Sequence, residues 1–296
     1  MTKKRSQPKL LFILSMAIFG TLAPFTRHIG VSSGELALYR AVLAAVLIGL
    51  FLLVTKQRFP LGAIKKALPL LLLSGFAMGF NWIFLFEAYK YTTVPVATLS
   101  YYFAPVIVTV ACPLLFREKL GLRQWLCFIA STVGLALITG FGDLNAGSDH
   151  LWGVLLGLCA ACLYAAVILL NKAIPQVTGL HRTFMQFLAA ITVLVPYVAL
   201  TGGVTLRSLD LTGWICLLTV GLVHSGLAYC MYFSSLKELP GQKVAILSYI
   251  DPLMAVLVSW LFLEEGLSPM QLLGGGLILG FTLFNELIPQ KKNAEV

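Results

Sequence analysis

Runs of about twenty consecutive apolar residues, separated by short polar breaks, recur along the whole chain. That length lets a helix cross roughly 30 Å of hydrocarbon at 1.5 Å per residue. Ten such runs are readable, at 10 to 29, 34 to 54, 67 to 89, 94 to 116, 122 to 141, 151 to 173, 180 to 200, 211 to 236, 244 to 263 and 268 to 287. A soluble core has no room for them: 59% of the 296 residues are hydrophobic and 11% are charged, against roughly 25% charged in soluble domains. The expected fold is an all-α integral membrane protein with ten transmembrane helices. No stretch outside these runs is long enough to fold as a separate domain, so function has to be carried within the bilayer.

Lys3, Lys4, Arg5 and Lys9 precede the first run as in a signal peptide, but no small-residue cleavage site with a polar mature domain follows, so the run reads as a retained span. The formal charge of +9 is spread between the apolar runs and not gathered on one domain, which argues against a nucleic-acid partner. Topology accounts for it. With a cytoplasmic amino terminus, 17 of the 21 Lys and Arg fall on the cytoplasmic side, all but Arg27, Arg40, Lys90 and Arg207. The positive-inside rule then places both termini in the cytoplasm, in a multi-pass protein of the bacterial cytoplasmic membrane.

Chemistry of other kinds finds little support. Cys112, Cys127, Cys159, Cys162, Cys216 and Cys230 all lie in apolar runs, where they read as small packing residues; Cys159 and Cys162 form a lone CxxC with no flanking histidine or second pair. His28, His150, His181 and His224 show no metal-ligand spacing, and no phosphate-binding loop is present. No catalytic residue, metal or cofactor is expected, and the chain does not read as an enzyme.

The chain resembles itself. Phe86 to Leu120 lies on Phe233 to Leu267 at an offset of about 147, so that Phe86 meets Phe233, Lys90 meets Lys237 and Ala97 meets Ala245. Leu99-Ser100-Tyr101 meets Leu247-Ser248-Tyr249, and Pro105, Glu118, Leu120 and Gln124 meet Pro252, Glu265, Leu267 and Gln271. At nearly the same offset Gly75 meets Gly221 and Arg40 meets Gln186. Two halves follow, residues 1–146 and 147–296, joined through the Gly/Asp/Asn-rich stretch from Gly140 to His150. Five spans per half is an odd number, so the second copy enters the membrane inverted. Inverted repeats of this kind place substrate near the midplane between the halves and alternate access by rocking.

These motifs resemble the EamA-type members of the drug/metabolite transporter superfamily. Ala97-Thr98-Leu99-Ser100-Tyr101 with Pro105, Glu118, Leu120 and Gln124 matches the family's first-half pattern. Ala245-Ile246-Leu247-Ser248-Tyr249-Ile250-Asp251-Pro252, with Glu265, Leu267 and Gln271, matches the second. Phe19-Gly20 stands where many relatives have Trp-Gly, a conservative departure. The resemblance covers nearly the whole chain and implies a permease for amino acids, nucleobase-like metabolites, amines or drugs, often an exporter and often proton-coupled. A facilitative channel-like carrier, a membrane-embedded receptor and an enzyme are the alternatives.

Candidate site residues follow from cost. Asp251 is the acid placed well inside a span, where a carboxylate costs about 2.5 to 3.5 kcal/mol unless it faces a polar cavity or is neutralised. Two readings stand: a proton-coupling or cation-binding group, and a hydrogen-bonded acid at the helix bend beside Pro252. His224, near the middle of the eighth run, is either a proton relay with Asp251 or a packing histidine. Arg40 reads as snorkelling to the interface or as paired with Glu35 or Glu87 in a gate or an outer-face pair. Pro105 and Pro252 each remove a backbone donor at repeat-matched positions, the kind of bend that points to a binding site. Asn81, Trp82, Tyr101, Tyr102, Tyr229 and Tyr249 lie at the same depth, as aromatic walls suited to an organic cation or as packing residues. Gly75 with Gly79, Gly153 with Gly157 and Gly276 with Gly280 form GxxxG pairs for close helix approach within a monomer or a homodimer. The expected partners are a small-molecule substrate, protons and the lipid bilayer.

Overall fold

The computed structural model describes residues 6–116, 122–138, 148–236, 238–239, 244 and 247–287. Outside them lie Lys3, Lys4, Arg5, Arg117, Glu118, Lys119, Leu120, Lys237, Lys243, Ala245, Ile246, Lys291, Lys292 and most of the linker, as do the side chains of Cys112, Arg123 and Gln124. The described residues form helices joined by turns and short irregular connections, with no strand among them. The elements are α1 (Ser6–Gly20), α2 (Leu22–Arg27), α3 (Ser33–Val54), α4 (Leu61–Tyr91), α5 (Val94–Tyr101), α6 (Ala104–Phe116) and α7 (Leu122–Ile138). The second half holds α8 (Ser148–Ala173), α9 (Gly179–Thr201), α10 (Leu211–Leu218), a π-helical segment (Thr219–Leu227), α11 (Ala228–Leu236), α12 (Ile250–Phe262) and α13 (Pro269–Leu287).

Local chemistry sets several boundaries. Ser32 accepts from the Glu35 backbone N–H at 3.1 Å while Glu35 accepts from the Ser32 N–H at 3.4 Å, a capping box that starts α3. Asp210 caps α10 by accepting from the Gly213 N–H at 2.7 Å. Among the described residues, seven runs are long and apolar enough to cross a membrane, and Trp125–Ile138, Ile250–Phe262 and Pro269–Phe284 are shorter apolar helices. Large apolar side chains such as Leu53, Leu200 and Trp260 stand exposed, whereas Arg40, Ser74, Asn81, Gln186 and Ser225 are buried. That distribution suits a lipid solvent outside and a polar path within.

The packing repeats itself. Equivalent helices of the two halves meet directly, α3 on α9 and α7 on α13. Several other contacts come in matched sets across the halves. From the first half α4 packs on α8 and α9, and α5 and α6 pack on α8; from the second α11 packs on α1, the π segment on α3, and α12 on α1. The same relation holds for single residues. A Cβ on Gly134 or on Gly274 would strike the other's carbonyl oxygen, and the repeat partners of these two, Phe281 and Cys127, also touch, Cys127 Sγ lying 3.2 Å from the Phe281 carbonyl oxygen. A contact whose repeat image is also a contact is the mark of two copies related by a two-fold axis. Gly75 and Gly79 meet Ala189, Ala190 and Leu194 of α9, and Gly153 and Gly157 meet Thr92, Ala97 and Ser100, so these pairs serve packing inside the chain. Around Gly276 and Gly280 there is open space.

Candidate functional site

Both prolines mark interruptions. Pro105 has no N–H to offer the Tyr101 carbonyl, and the helix breaks over Tyr102–Phe103 between α5 and α6. In the second half a turn at Tyr249 precedes α12, with Pro252 in its first turn. The two interruptions face one another: the Tyr102 hydroxyl donates to Asp251 Oδ2 at 2.5 Å. Gly20 makes room for this, because a Cβ there would collide with the Asp251 carbonyl oxygen and the Met254 side chain.

Asp251 and Tyr102 line a cavity of about 670 Å³, inside the roughly 300–1,000 Å³ range of small-molecule sites. Both halves wall it, and Arg40, Asn81, Trp82, Tyr101, Tyr229, Tyr249 and Pro105 all reach it. Arg40 is 5% exposed. Its Nε donates to Ser225 Oγ at 2.6 Å, and its guanidinium lies 4.7 Å over the Trp82 ring and 5.7 Å from that of Phe86. Trp82 is backed by Phe187 at 5.3 Å, which in turn meets Tyr229 at 5.5 Å. Tyr101 stacks on Tyr164 at 5.2 Å and meets Tyr102 edge-on at 6.0 Å. Asn81 Nδ2 donates to the Ala160 carbonyl at 2.6 Å, tying α4 to α8 behind the cavity wall.

Some sequence-based expectations do not survive the geometry. Arg40 neither snorkels nor pairs with Glu35 or Glu87. Glu35 accepts from the Thr205 N–H and hydroxyl, both at 2.6 Å, and from Tyr39 at 3.1 Å. Glu87 accepts from Ser33 at 2.6 Å and Lys90 at 3.0 Å. The physical reason for the first is helical phase: five residues on one helix turn a side chain about 140° away, so Glu35 and Arg40 point to different faces. His224 lies behind the wall, its Nε2 3.0 Å from Thr21 Oγ1 and its Nδ1 3.2 Å from the Thr219 carbonyl, with Phe25 against its ring at 5.0 Å. Among the described residues no hydrogen bond joins it to Asp251. No group of three metal-ligating side chains occurs among the described residues either.

Two features were not singled out beforehand. At one end of the bundle Arg27 Nη2 meets Glu265 Oε1 at 2.7 Å, and Glu265 Oε2 accepts from the Val94 N–H at 2.7 Å. The same arginine donates to the Thr92 carbonyl at 3.4 Å, while Thr92 Oγ1 contacts His150 Nδ1 at 2.9 Å. This latch ties α2, the α4–α5 turn, α8 and the segment after α12. The signal for it was Glu265, a member of the repeated motif whose role the spacing did not disclose. At the other end Arg182, Asn171, Thr183 and Gln186 also line the cavity. Gln186 is the repeat partner of Arg40, and that match was the available hint.

Comparison with known proteins agrees with this architecture. The profile of the EamA-like transporter family matches residues 8–140 and again 151–286. An uncharacterised transporter, YxxF of Bacillus subtilis (strain 168), is 30% identical over 88% of this chain and 83% of its own length. The threonine/homoserine exporter RhtA of Escherichia coli (strain K12) is 26% identical over 92% of this chain and 86% of its own. A crystal structure sharing 16% identity superposes with a TM-score of 0.64 over 94% of this chain and 96% of that one, a likeness of fold. This chain belongs to the EamA-like transporter family, and it is a multi-pass membrane transporter rather than an enzyme.

Proposed function

We propose that the chain is a secondary active exporter of small amino-bearing metabolites, such as amino acids, amines or drugs, working by alternating access and coupled to protons. In this reading ten spans cross the membrane with both termini in the cytoplasm, and residues 1–146 and 147–296 are the two inverted halves. The three shorter apolar helices complete the seven long ones, and the distribution of Lys and Arg supports the orientation.

The observation that carries the proposal is the bond between Tyr102 and Asp251, a carboxylate at the helix interruption of one half held by a tyrosine at the interruption of the other, on one shared cavity. A carboxylate whose partner sits across the moving interface can exchange that partner for a proton or a substrate ammonium as the halves rock. Arg40, anchored by Ser225 and Trp82 and free of any acid within 4.0 Å among the described residues, offers its charge to a substrate carboxylate. In this reading the Arg27–Glu265 latch closes the end that the orientation assigns to the outer face, as an inward-facing state requires. RhtA, by its name an exporter of threonine and homoserine, supports the direction and the substrate size.

Counterflow in proteoliposomes with an imposed pH gradient, using a panel of radiolabelled amino acids and amines, tests this. The wild-type chain is expected to concentrate at least one solute against its gradient, and Asp251→Asn to abolish the response to the pH gradient. Gradient-driven flux of the same solute surviving unchanged in Asp251→Asn refutes the coupling role. Equilibration without concentration makes the chain a facilitative carrier.

A further inference from the structure

Arg182 lies in the first turn of α9, half-buried, on the wall of the same cavity as Asp251 but at its far end. Its Nη1 donates to the Asn171 carbonyl at 3.2 Å, and among the described residues no carboxylate lies within 4.0 Å of it. A guanidinium has five N–H donors, so this single backbone bond fixes its orientation and leaves most of the fork for something else. Its surroundings are built. Gln186, 1% exposed, donates to Ser74 Oγ at 2.5 Å and to Asn171 Oδ1 at 2.7 Å, which ties α4, α8 and α9 together behind the arginine. Asn171 thus holds Gln186 with its side chain and Arg182 with its backbone.

The separation from the Asp251 site follows from helix geometry. Asn171 is seven residues beyond Tyr164 on α8, or about 10 Å at 1.5 Å per residue, and Tyr164 stacks on Tyr101 beside the Tyr102–Asp251 bond. A single α-amino acid does not bridge that distance. Charge points to the ligand: among the described residues the cavity wall carries two guanidinium groups, Arg40 and Arg182, against one carboxylate. An uncompensated cation on a cavity within a membrane is a costly feature, and an anionic group of the solute relieves the cost.

We infer that Arg182, oriented by Asn171 and backed by Gln186 and Ser74, forms a second binding station in this cavity that captures the carboxylate of an incoming zwitterionic metabolite at the cytoplasmic mouth. The inference rests on the transport reading above and adds a stage to it. The solute binds first by its carboxylate to Arg182, then moves about 10 Å deeper, where Asp251 takes its ammonium and Arg40 its carboxylate. A capture station of this kind raises the effective concentration of carboxylate-bearing solutes and leaves the deep site unchanged, so it sets KM more than the maximal rate.

The test uses the full-length chain in detergent and in proteoliposomes, with threonine, homoserine and larger amino acids, each beside its amide and its decarboxylated amine. Thermal stabilisation gives the affinities, and counterflow gives KM and maximal rate from each side. For the zwitterions that bind, Arg182→Gln is expected to weaken binding about tenfold, equivalent to about 1.4 kcal/mol, and to raise KM on the cytoplasmic side with little change in maximal rate. Affinity for the matched amides should stay as in the wild type, Arg182→Lys should recover much of the loss, and added salt should narrow the difference. Equal losses for zwitterions and amides, or none for either, overturn the inference. So does a wild-type chain that binds and moves the amines but no zwitterion, a result that leaves the transport reading standing. A panel in which nothing binds or moves refutes the transport reading itself.

Discussion

Ser225 is what makes the buried charge of Arg40 tolerable. Its hydroxyl accepts from Arg40 Nε at 2.6 Å and donates to the Val220 carbonyl at 3.0 Å, so one small side chain links the guanidinium to the π segment. Removing it leaves a charged donor unpaired in a site that is 5% exposed, and hydrogen bonds to charged groups are worth about 1.5–3 kcal/mol. Ser225→Ala is therefore expected to lower thermal stability by about that amount, with Ser225→Thr recovering part of it; unchanged unfolding of Ser225→Ala would show that the bond contributes nothing. Single residues were legible where their cost was legible. Asp251 stood out because a carboxylate in hydrocarbon demands a reason, and it does line the cavity. The partner of Arg40 was not legible, because sequence proximity favoured Glu35 and Glu87 while the bond runs to a residue 185 positions away. Arg182 was hidden for a related reason: near the end of a span it reads as an orientation signal, and only the tertiary fold turns it toward the cavity.

At the scale of elements, length and proline carried most of the information. Continuous apolar runs gave α3, α8 and α9 to within a few residues, since the hydrocarbon thickness dictates their extent. Pro105 and Pro252 pointed to the interruptions between α5 and α6 and before α12 through their missing N–H and their matched places in the repeat, whereas Pro69 and Pro196 lie inside the unbroken α4 and α9. The π segment Thr219–Leu227 gave no such sign: no proline marks it, and an all-round apolar span has no periodicity from which a change of helical pitch shows. Glycines differ by what faces them. A Cβ on Gly75 would press on Ala189 and on the Gln186 carbonyl oxygen at 2.6 Å, whereas Gly276 meets nothing within 4 Å. Gly75→Val is expected to destabilise the protein by about 1–3 kcal/mol, as overpacking does. Gly276→Ala is expected to be neutral or to stabilise by about 0.5–1 kcal/mol through helix propensity. Thermal unfolding of both variants in one detergent checks the contrast, and a similar loss for the two would mean that α13 packs its Gly276 face against a second copy.

For the whole molecule, the duplication determines which contacts survive the transport cycle and which are exchanged. In a rocking mechanism, contacts between equivalent helices lie on the pseudo-two-fold axis and map onto themselves when the halves swap conformations. A contact between non-equivalent segments that closes one end of the cavity is made in one state and broken in the other, when that end opens. The crossing of α7 and α13, with Gly134 against Gly274 and Cys127 against Phe281, belongs to the first kind. The Arg27–Glu265 latch belongs to the second, since it joins the α2 end to the segment after α12 at one end of the bundle. Cross-links at the two places should therefore have opposite effects. In a background with Cys159 and Cys162 replaced by alanine, Phe281→Cys beside the native Cys127 gives an oxidisable pair at the crossing, and Arg27→Cys with Glu265→Cys gives a pair for a short bismaleimide at the latch. Closing the crossing is expected to leave solute counterflow within about twofold of the reduced protein, while closing the latch is expected to cut it at least tenfold, a difference of about 1.4 kcal/mol or more in the barrier. Arg27→Ala alone should loosen the closed end and raise labelling of outer-facing cavity cysteines such as Tyr89→Cys. Loss of counterflow on closing the crossing would place the moving interface there, and would require the halves to slide past one another instead of rocking.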